Sequence, residues 1–368
     1  MRKLLVPVAV LVAAILPVPL ATAEPAPPDL DAALRQVTAD GYPAAAAYLR
    51  HGDQVKQAAD GVADRETGRR AHAEDKFRIA SNTKAFTSTV VLQLVDEGLL
   101  ALDEPARRWL PDELPFDVTV RQLLNHTSGV YDPTDEPSFW EPYLGEHGNR
   151  GYVYRPRDIV ARAVAHGLNP GHGTKHDYSN TNYLIAGMLI EKVTGRPAHV
   201  EISDRIIGRL GLRDTEMPRL DPFLHGRHLH GYGMDGNDLT TFSPSYDWTA
   251  GAIVSTARDL ATFHRALFAG KLLSPAAQRE LLTTAPTPMG GYGLGVEQMT
   301  APCPGGPRLW GAFGAGPGYQ SMSFTTLDGS KQLVAVGTIF DIGREVAHEP
   351  PAPEGPGMFG LIKAAFCP

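Results

Sequence analysis

The feature that most constrains the fold of this chain is the placement of its strand-like segments, which lie at its two ends with helical periodicity between them. Residues 44–50 and 54–61 flank His51-Gly52-Asp53, and residues 319–326 and 332–338 flank a loop holding Asp328-Gly329. Each pair reads as a hairpin, because Gly-Asp and Asp-Gly permit a tight reversal. Residues 293–298 read as a further strand. Apolar residues recur at helical spacing in 30–39, in 83–94 ahead of Gly98, and in 257–268. From about Pro105 to Pro244 short helical patterns at 120–124, 159–165 and 183–193 alternate with Gly and Pro loops. Strands at both ends with helices between predict an α/β (α+β) fold: one antiparallel sheet flanked by helices, with an inserted all-helical domain. The sheet-containing region is assigned to 29–105 and 249–368 and the insertion to 106–248, with the functional cleft expected between them.

The first 23 residues have the order of a secretory signal peptide. Met1-Arg2-Lys3 is basic, residues 4–20 are apolar, and Ala21-Thr22-Ala23 offers a small-residue cleavage site before Glu24. Pro7, Pro17 and Pro19 weigh against a retained membrane helix, so a secreted, extracellular chain of residues 24–368 with no transmembrane span is expected. In an oxidising compartment the two cysteines, Cys303 and Cys367, are expected to form one disulfide, the alternative being two free buried thiols. The formal charge of −7 argues against a nucleic-acid-binding surface and leaves small or neutral partners.

The chemistry-bearing segment is Phe77-Arg78-Ile79-Ala80-Ser81-Asn82-Thr83-Lys84, where a short apolar strand leads into a helix. Ser81 and Lys84 stand one helical turn apart and share a face. A serine hydroxyl is a weak nucleophile, and a lysine whose pKa is lowered by apolar surroundings can take its proton. By itself Ser-x-x-Lys also reads as a helix cap beside a solvated lysine. A second polar segment, Asp177-Tyr178-Ser179-Asn180-Thr181-Asn182-Tyr183, opens another apolar helix. There Tyr178 could shuttle a proton and the Asn180 amide could hold Lys84 and a substrate carbonyl, although alone the segment is an ordinary helix start.

Three further segments occur in order with these: residues 120–129 ending Leu124-Asn125-His126-Thr127-Ser128-Gly129, residues 250–260 beginning Ala250-Gly251-Ala252, and Tyr292-Gly293-Leu294-Gly295. Together, over about residues 30 to 345, they resemble the β-lactamase-like serine hydrolases. That family comprises class C β-lactamases, D-alanyl-D-alanine carboxypeptidases, D-amino-acid peptidases and related esterases. The resemblance implies a catalytic domain over 24–368, with Ser81 as the acylated nucleophile, Lys84 as its base partner, and Tyr178 with Asn180 as the second element. It also implies an oxyanion hole made from the backbone N–H groups of Ser81 and Ala315. The family's third element is usually Lys or His, then Thr, Ser or Gly, then Gly. Here Ala312-Phe313-Gly314 stands in its place, so a side chain that would meet a substrate carboxylate is missing. The resulting expectation is a secreted acyl-enzyme serine hydrolase for D-amino-acid or D-Ala-D-Ala peptides, carboxypeptidase-like, with possible cell-wall peptide contact. The alternatives are an esterase or amidase on neutral substrates, with the apolar Phe313 at the rim, and a catalytically weakened penicillin-binding homologue.

No cofactor is expected. His225, His228 and His230 lie close in sequence but lack the context of a metal site, so no metal is assigned to them. His126 is read as a hydrogen-bonded loop residue rather than a base. Gly291, Gly293 and Gly295 do not begin a phosphate-binding loop, and no Gly-x-Ser-x-Gly elbow is present.

Overall fold

Strands from the early and late parts of the described residues pair in one sheet. The computed structural model describes residues 29–367, so the signal-peptide reading at 1–23 lies outside the described residues. Its strands are β1 (Ala44–His51), β2 (Gln54–Asp64), β3 (Arg69–Arg70), β4 (Phe77–Arg78), β5 (Val254–Ser255), β6 (Ala285–Thr287), β7 (Gly290–Tyr292), β8 (Glu297–Thr300), β9 (Arg308–Gly316), β10 (Tyr319–Thr326) and β11 (Lys331–Gly337). Nine of them form an antiparallel sheet in the order β3-β2-β1-β11-β10-β9-β8-β7-β6, while β4 pairs with β5. β1 lies against β11, with Ala45 opposite Gly337 and Leu49 opposite Leu333, which joins the two hairpins expected from the sequence.

Side chains alternate between the faces, as the period of a strand requires. Ala45, Ala47, Leu49, Leu333 and Ala335 pack in one cluster with residues of α1 (Leu30–Ala39) and of the C-terminal helix at Gly357–Phe366. Ala44, Ala46, Tyr48, Val334 and Val336 belong to the larger cluster on the other face. The alanines of β1 have no bulk to hold neighbouring elements away from the strand.

On that second face lies α2 (Thr83–Asp96), buried along nearly its whole length from Thr83 to Leu94. Its start and the Gly98 beyond its end, at φ +72°, agree with the sequence reading. The middle of the chain supplies α3 (Val120–Leu124), α4 (Pro137–Leu144), α5 (Pro156–His166), α6 (Asn180–Thr194) and α7 (Ala198–Ile202). After these come α8 (Trp248–Gly251), α9 (Ala257–Phe268), α10 (Pro275–Leu281), α11 (Ile342–Val346) and α12 (Gly357–Phe366). Phe86 of α2 stacks on Phe263 of α9 with ring centres 3.5 Å apart, and one apolar cluster runs from the sheet into the middle helices. Among the described residues no helix is long and apolar enough to cross a membrane.

One strand reading needs correction. Residues 293–298 are not a single strand: β7 ends at Tyr292, β8 starts at Glu297, and a turn joins them. The Gly293 N–H donates to Val296 O at 2.7 Å, and the Leu294 N–H to Leu281 O at 3.1 Å. Gly295 has φ +83°, and a Cβ there would sit 2.4 Å from Ser88 Oγ and 2.9 Å from Lys84 O. Close approach to α2 therefore replaces strand geometry. Farther on, Cys303 and Cys367 form a disulfide with Cα atoms 6.0 Å apart, tying the loop after β8 to the end of α12.

Candidate active site

The nucleophile candidate sits in a sharp turn. The Ile79 N–H donates to Ile253 O at 3.0 Å, after which Ala80 turns to φ +46° and residues Ala80–Asn82 form a single 3₁₀ turn ahead of α2. A non-glycine residue in the left-handed region costs about 1 to 2 kcal/mol, so the turn needs support. Asn82 Nδ2 donates to Ser321 Oγ at 3.0 Å, and Ser321 Oγ donates to Ile79 O at 2.7 Å, both inside the core. Strand β9 passes directly over this turn: a Cβ on Gly314 would lie 2.4 Å from Ile79 O and 3.1 Å from Ser81 N.

Lys84 Nζ reaches Ser81 Oγ at 3.0 Å, Asn180 Oδ1 at 2.7 Å and Ala250 O at 3.1 Å. An ammonium uses all three contacts as a donor. A neutral amine can keep two of them, to Asn180 and Ala250, and turn its lone pair toward the serine. Burial pulls the Lys84 pKa down to about 8, against the opposing pull of Asp247, Asp132 and Glu297. Asn180 opens α6, its backbone N–H donating to Asp132 Oδ2 at 2.6 Å, while its side-chain Nδ2 donates to Thr134 Oγ1 at 3.3 Å.

From the other side the Tyr178 hydroxyl donates to Ser81 Oγ at 2.9 Å. Burial pushes its pKa well above the ordinary phenol value, so it stays protonated. Tyr178 lies deep among protein groups yet presents one face to the cleft, which is why the residue keeps 40% of its surface. Its ring packs 4.2 Å from that of His126. His126 Nδ1 accepts from the Ser179 N–H at 3.1 Å and burial holds the ring neutral, so it braces Tyr178 from behind and does not reach Ser81.

The cleft in front of Ser81 has a volume of about 710 Å³. Phe313, Gly314, Ala315 and Gly316 of β9 form one wall, and Phe359 of α12 extends it, with the Phe313 and Phe359 rings 5.3 Å apart. Ala312 is buried in the same strand and brings no polar group. Among the described lining residues His348 is the one basic side chain, against Asp132, Asp135, Asp247, Glu297 and Glu345. Burial raises Asp247 to about 6 and Glu297 to about 7.

The structure thus joins Tyr178, Ser81, Lys84 and Asn180, in that order, in one chain of hydrogen bonds, with Ala315 and Phe313 on the facing strand. Cys303 and Cys367 do not line the cleft. Of the three close histidines, His225 meets Asp221 at 2.7 Å, His230 meets Asp238 at 2.6 Å, and His228 meets the Gly226 carbonyl at 2.8 Å. Sequence reasoning missed Glu297, Asp247 and the Ala250 carbonyl. The available signal for Glu297 was one acid following the run Tyr292–Val296; Asp247, in a polar loop, carried none.

The Beta-lactamase family profile matches residues 30–343. The D-stereospecific amidohydrolase from Streptomyces sp. shares 35% identity over 91% of this chain and 97% of its own, with a TM-score of 0.81. Esterase EstB from Burkholderia gladioli is 34% identical over 52% of this chain and 50% of its own length. Penicillin-binding protein 4* from Bacillus subtilis (strain 168) is 27% identical over 77% and 65% respectively. The chain therefore spans less than two thirds of these two curated relatives. With the family profile covering most of its length, the chain belongs to the Beta-lactamase family of serine hydrolases.

Proposed function

We propose that this protein hydrolyses amide bonds of D-aminoacyl compounds through an acyl-enzyme on Ser81. Neutral Lys84 takes the serine proton as Oγ bonds to the substrate carbonyl carbon. The N–H groups of Ser81 and Ala315 receive the oxyanion. As the C–N bond breaks, Tyr178 protonates the leaving nitrogen and is refilled by the proton that Lys84 held. Water then gives a proton to Lys84 and attacks the acyl carbon, and Ser81 leaves with its proton restored.

The observation that carries this reading is the double hold on Ser81 Oγ, with Lys84 at 3.0 Å and Tyr178 at 2.9 Å. It pairs a base with a proton donor, which an amide needs because its leaving nitrogen must be protonated. D-configuration is supported by the likeness to the D-stereospecific amidohydrolase. Removal of a terminal D-alanine is the less favoured use, since such a substrate carries a carboxylate into a cleft lined by acids. We further propose that the protein works outside the cytoplasm, on the strength of the leader-like segment and the disulfide.

Purified protein would be given D- and L-phenylalanine amide, a D-Ala-D-Ala peptide, a nitrophenyl ester and a labelled penicillin, with product and covalent mass followed. The expected result is D-amide turnover exceeding that of the L-amide and of the peptide by about tenfold or more, lost in Ser81→Ala. Ester turnover without amide turnover would overturn it in favour of an esterase, the reading that the Phe313 and Phe359 wall and the likeness to EstB favour second.

A further inference from the structure

The order of the hydrogen bonds around the nucleophile gives the cleft two sides. Tyr178 holds Ser81 Oγ from one side, while Lys84 leads from it to Asn180, Thr134 and Asp132 on the other. Glu297 stands on the Tyr178 side. It lies opposite Tyr292 across β7 and β8, the Tyr292 ring is 6.3 Å from that of Tyr178, and the charge of Glu297 acts on both phenols. Strand β8 begins at Glu297, opposite Gly311, so beyond Gly311 that edge of β9 has no partner strand. There Glu297 Oε1 accepts from the Phe313 N–H at 3.2 Å, the one hydrogen bond of this carboxyl among the described residues, and Glu297 lines the cleft.

We infer that Glu297 excludes leaving groups that carry a carboxylate, and so confines the enzyme to amides of ammonia and of amines without an acid group. The inference rests on the amide-hydrolase reading above and adds the residue that selects the departing amine. The departing nitrogen takes its proton from Tyr178, so it leaves on the Tyr178 side. In a peptide with a free C-terminus the carboxylate is two bonds from that nitrogen, which carries it toward Glu297. Two carboxylates so placed repel, and the enclosed cleft screens them less than water does. An amide of ammonia brings no charge there.

The cations near the cleft do not offset this repulsion. Ala312 is buried and apolar. His348 acts on Asp135, which follows Thr134 on the Asn180 side. Lys84 attracts Glu297 while it is an ammonium, but its hydrogen bonds go to Ser81, Asn180 and Ala250, and it serves as a base only once that charge is gone. Burial pushes the Glu297 pKa up to about 7, so the carboxylate form prevails at the mildly alkaline pH where Lys84 is neutral.

The test compares D-phenylalanyl-D-alanine with D-phenylalanyl-D-alaninamide, which differ by one carboxylate, in the wild type and Glu297→Gln at about pH 8. Gln keeps an acceptor for the Phe313 N–H, so a purely structural role moves both substrates alike. The expected result is a wild-type kcat/KM preference for the carboxamide that falls about tenfold in the variant. A bound carboxylate is tolerated once Glu297 takes up a proton, and that costs about tenfold for each pH unit above its pKa. A second reading needs no variant and uses 3-carboxyphenyl and 3-carbamoylphenyl phenylacetate, which hold no amine. Lys84 titrates alike for both and cancels from their ratio, while Tyr178 and Tyr292 stay protonated. The preference for the carbamoyl ester should therefore climb about tenfold per unit above about pH 7. A ratio that is flat with pH, or a peptide preference unchanged in a folded Gln variant, overturns the inference. So does an equal climb in the variant, which would assign the repulsion to Asp132, Asp135, Asp247 or Glu345, the other cleft acids that burial raises. Cleavage of the esters but of neither peptide removes the amide reading and leaves the ester ratio to decide this one.

Discussion

Lys84 donates a hydrogen bond to the backbone carbonyl of Ala250 at 3.1 Å, across 166 residues of sequence. With Asn180 as its second fixed acceptor, the lysine nitrogen is oriented before any substrate arrives. The third direction around it is toward Ser81 Oγ.

Activity should follow the neutral form of Lys84. Burial lowers its pKa to about 8, so kcat/KM is expected to rise with pH below that value and level above it. The carboxyl of Asp247 favours the ammonium, so Asp247→Asn removes a negative charge, lowers the lysine pKa further and moves the rising limb to lower pH. A pH–rate profile of each form checks both statements. A rising limb near 10, or a shift to higher pH in the variant, contradicts them.

Tyr178→Phe should separate amides from activated esters. The hydroxyl bonded to Ser81 Oγ is assigned the proton for the leaving group, and general acid help of this kind is worth about 10² to 10⁴ in rate. A nitrophenolate leaves without a proton, whereas an amide nitrogen does not. The expected loss is therefore larger for D-phenylalanine amide than for a nitrophenyl ester, measured as kcat on both. Equal losses would assign Tyr178 to positioning the serine instead.

Gly314→Ala is expected to impair catalysis more than stability. The new Cβ would press on Ile79 O at 2.4 Å and on Ser81 N at 3.1 Å, lifting β9 from the nucleophile turn. Both proposed oxyanion donors would move apart, and loss of one such donor costs about 10² to 10³ in kcat. Steady-state kinetics with a thermal melt test this, the contrary result being undiminished kcat in a folded variant.

Removing the disulfide should act on stability alone. The bridge closes a separation of 64 residues, and a loop of that size is worth about 4 kcal/mol in the chain-entropy account. Paired Cys303→Ser and Cys367→Ser substitutions are expected to lower the urea midpoint while leaving KM near its original value, since neither residue lines the cleft. A midpoint that does not move would show that α12 is held by its apolar contacts alone.

Elements whose ends depend on neighbours in sequence were legible. Helices α1 and α9 have the bounds that periodicity assigns them, because Asp29 and Thr256 cap them with their own side chains, bonding Ala32 N and Asp259 N. The hairpins β1–β2 and β10–β11 were legible for the same reason, each turning at residues suited to a reversal. Residues 293–298 failed because Gly293 and Gly295 are shaped by Leu281 and by the Lys84 turn of α2, groups remote in sequence.

The sequence by itself determined the nucleophile pair: Ser81 and Lys84 are three residues apart, and the start of one helix is enough to bring them to 3.0 Å. It also marked the polar segment around Tyr178 and Asn180 and the absence of a cation at Ala312. Only the tertiary structure decided that Tyr178 meets Ser81, that the Ala250 carbonyl orients Lys84, and that Glu297 caps the open edge of β9. Those contacts join segments from 16 to 166 residues apart. The physical reason is burial: an acid, a lysine and a phenol acquire their protonation states from the low-dielectric space in which distant segments enclose them.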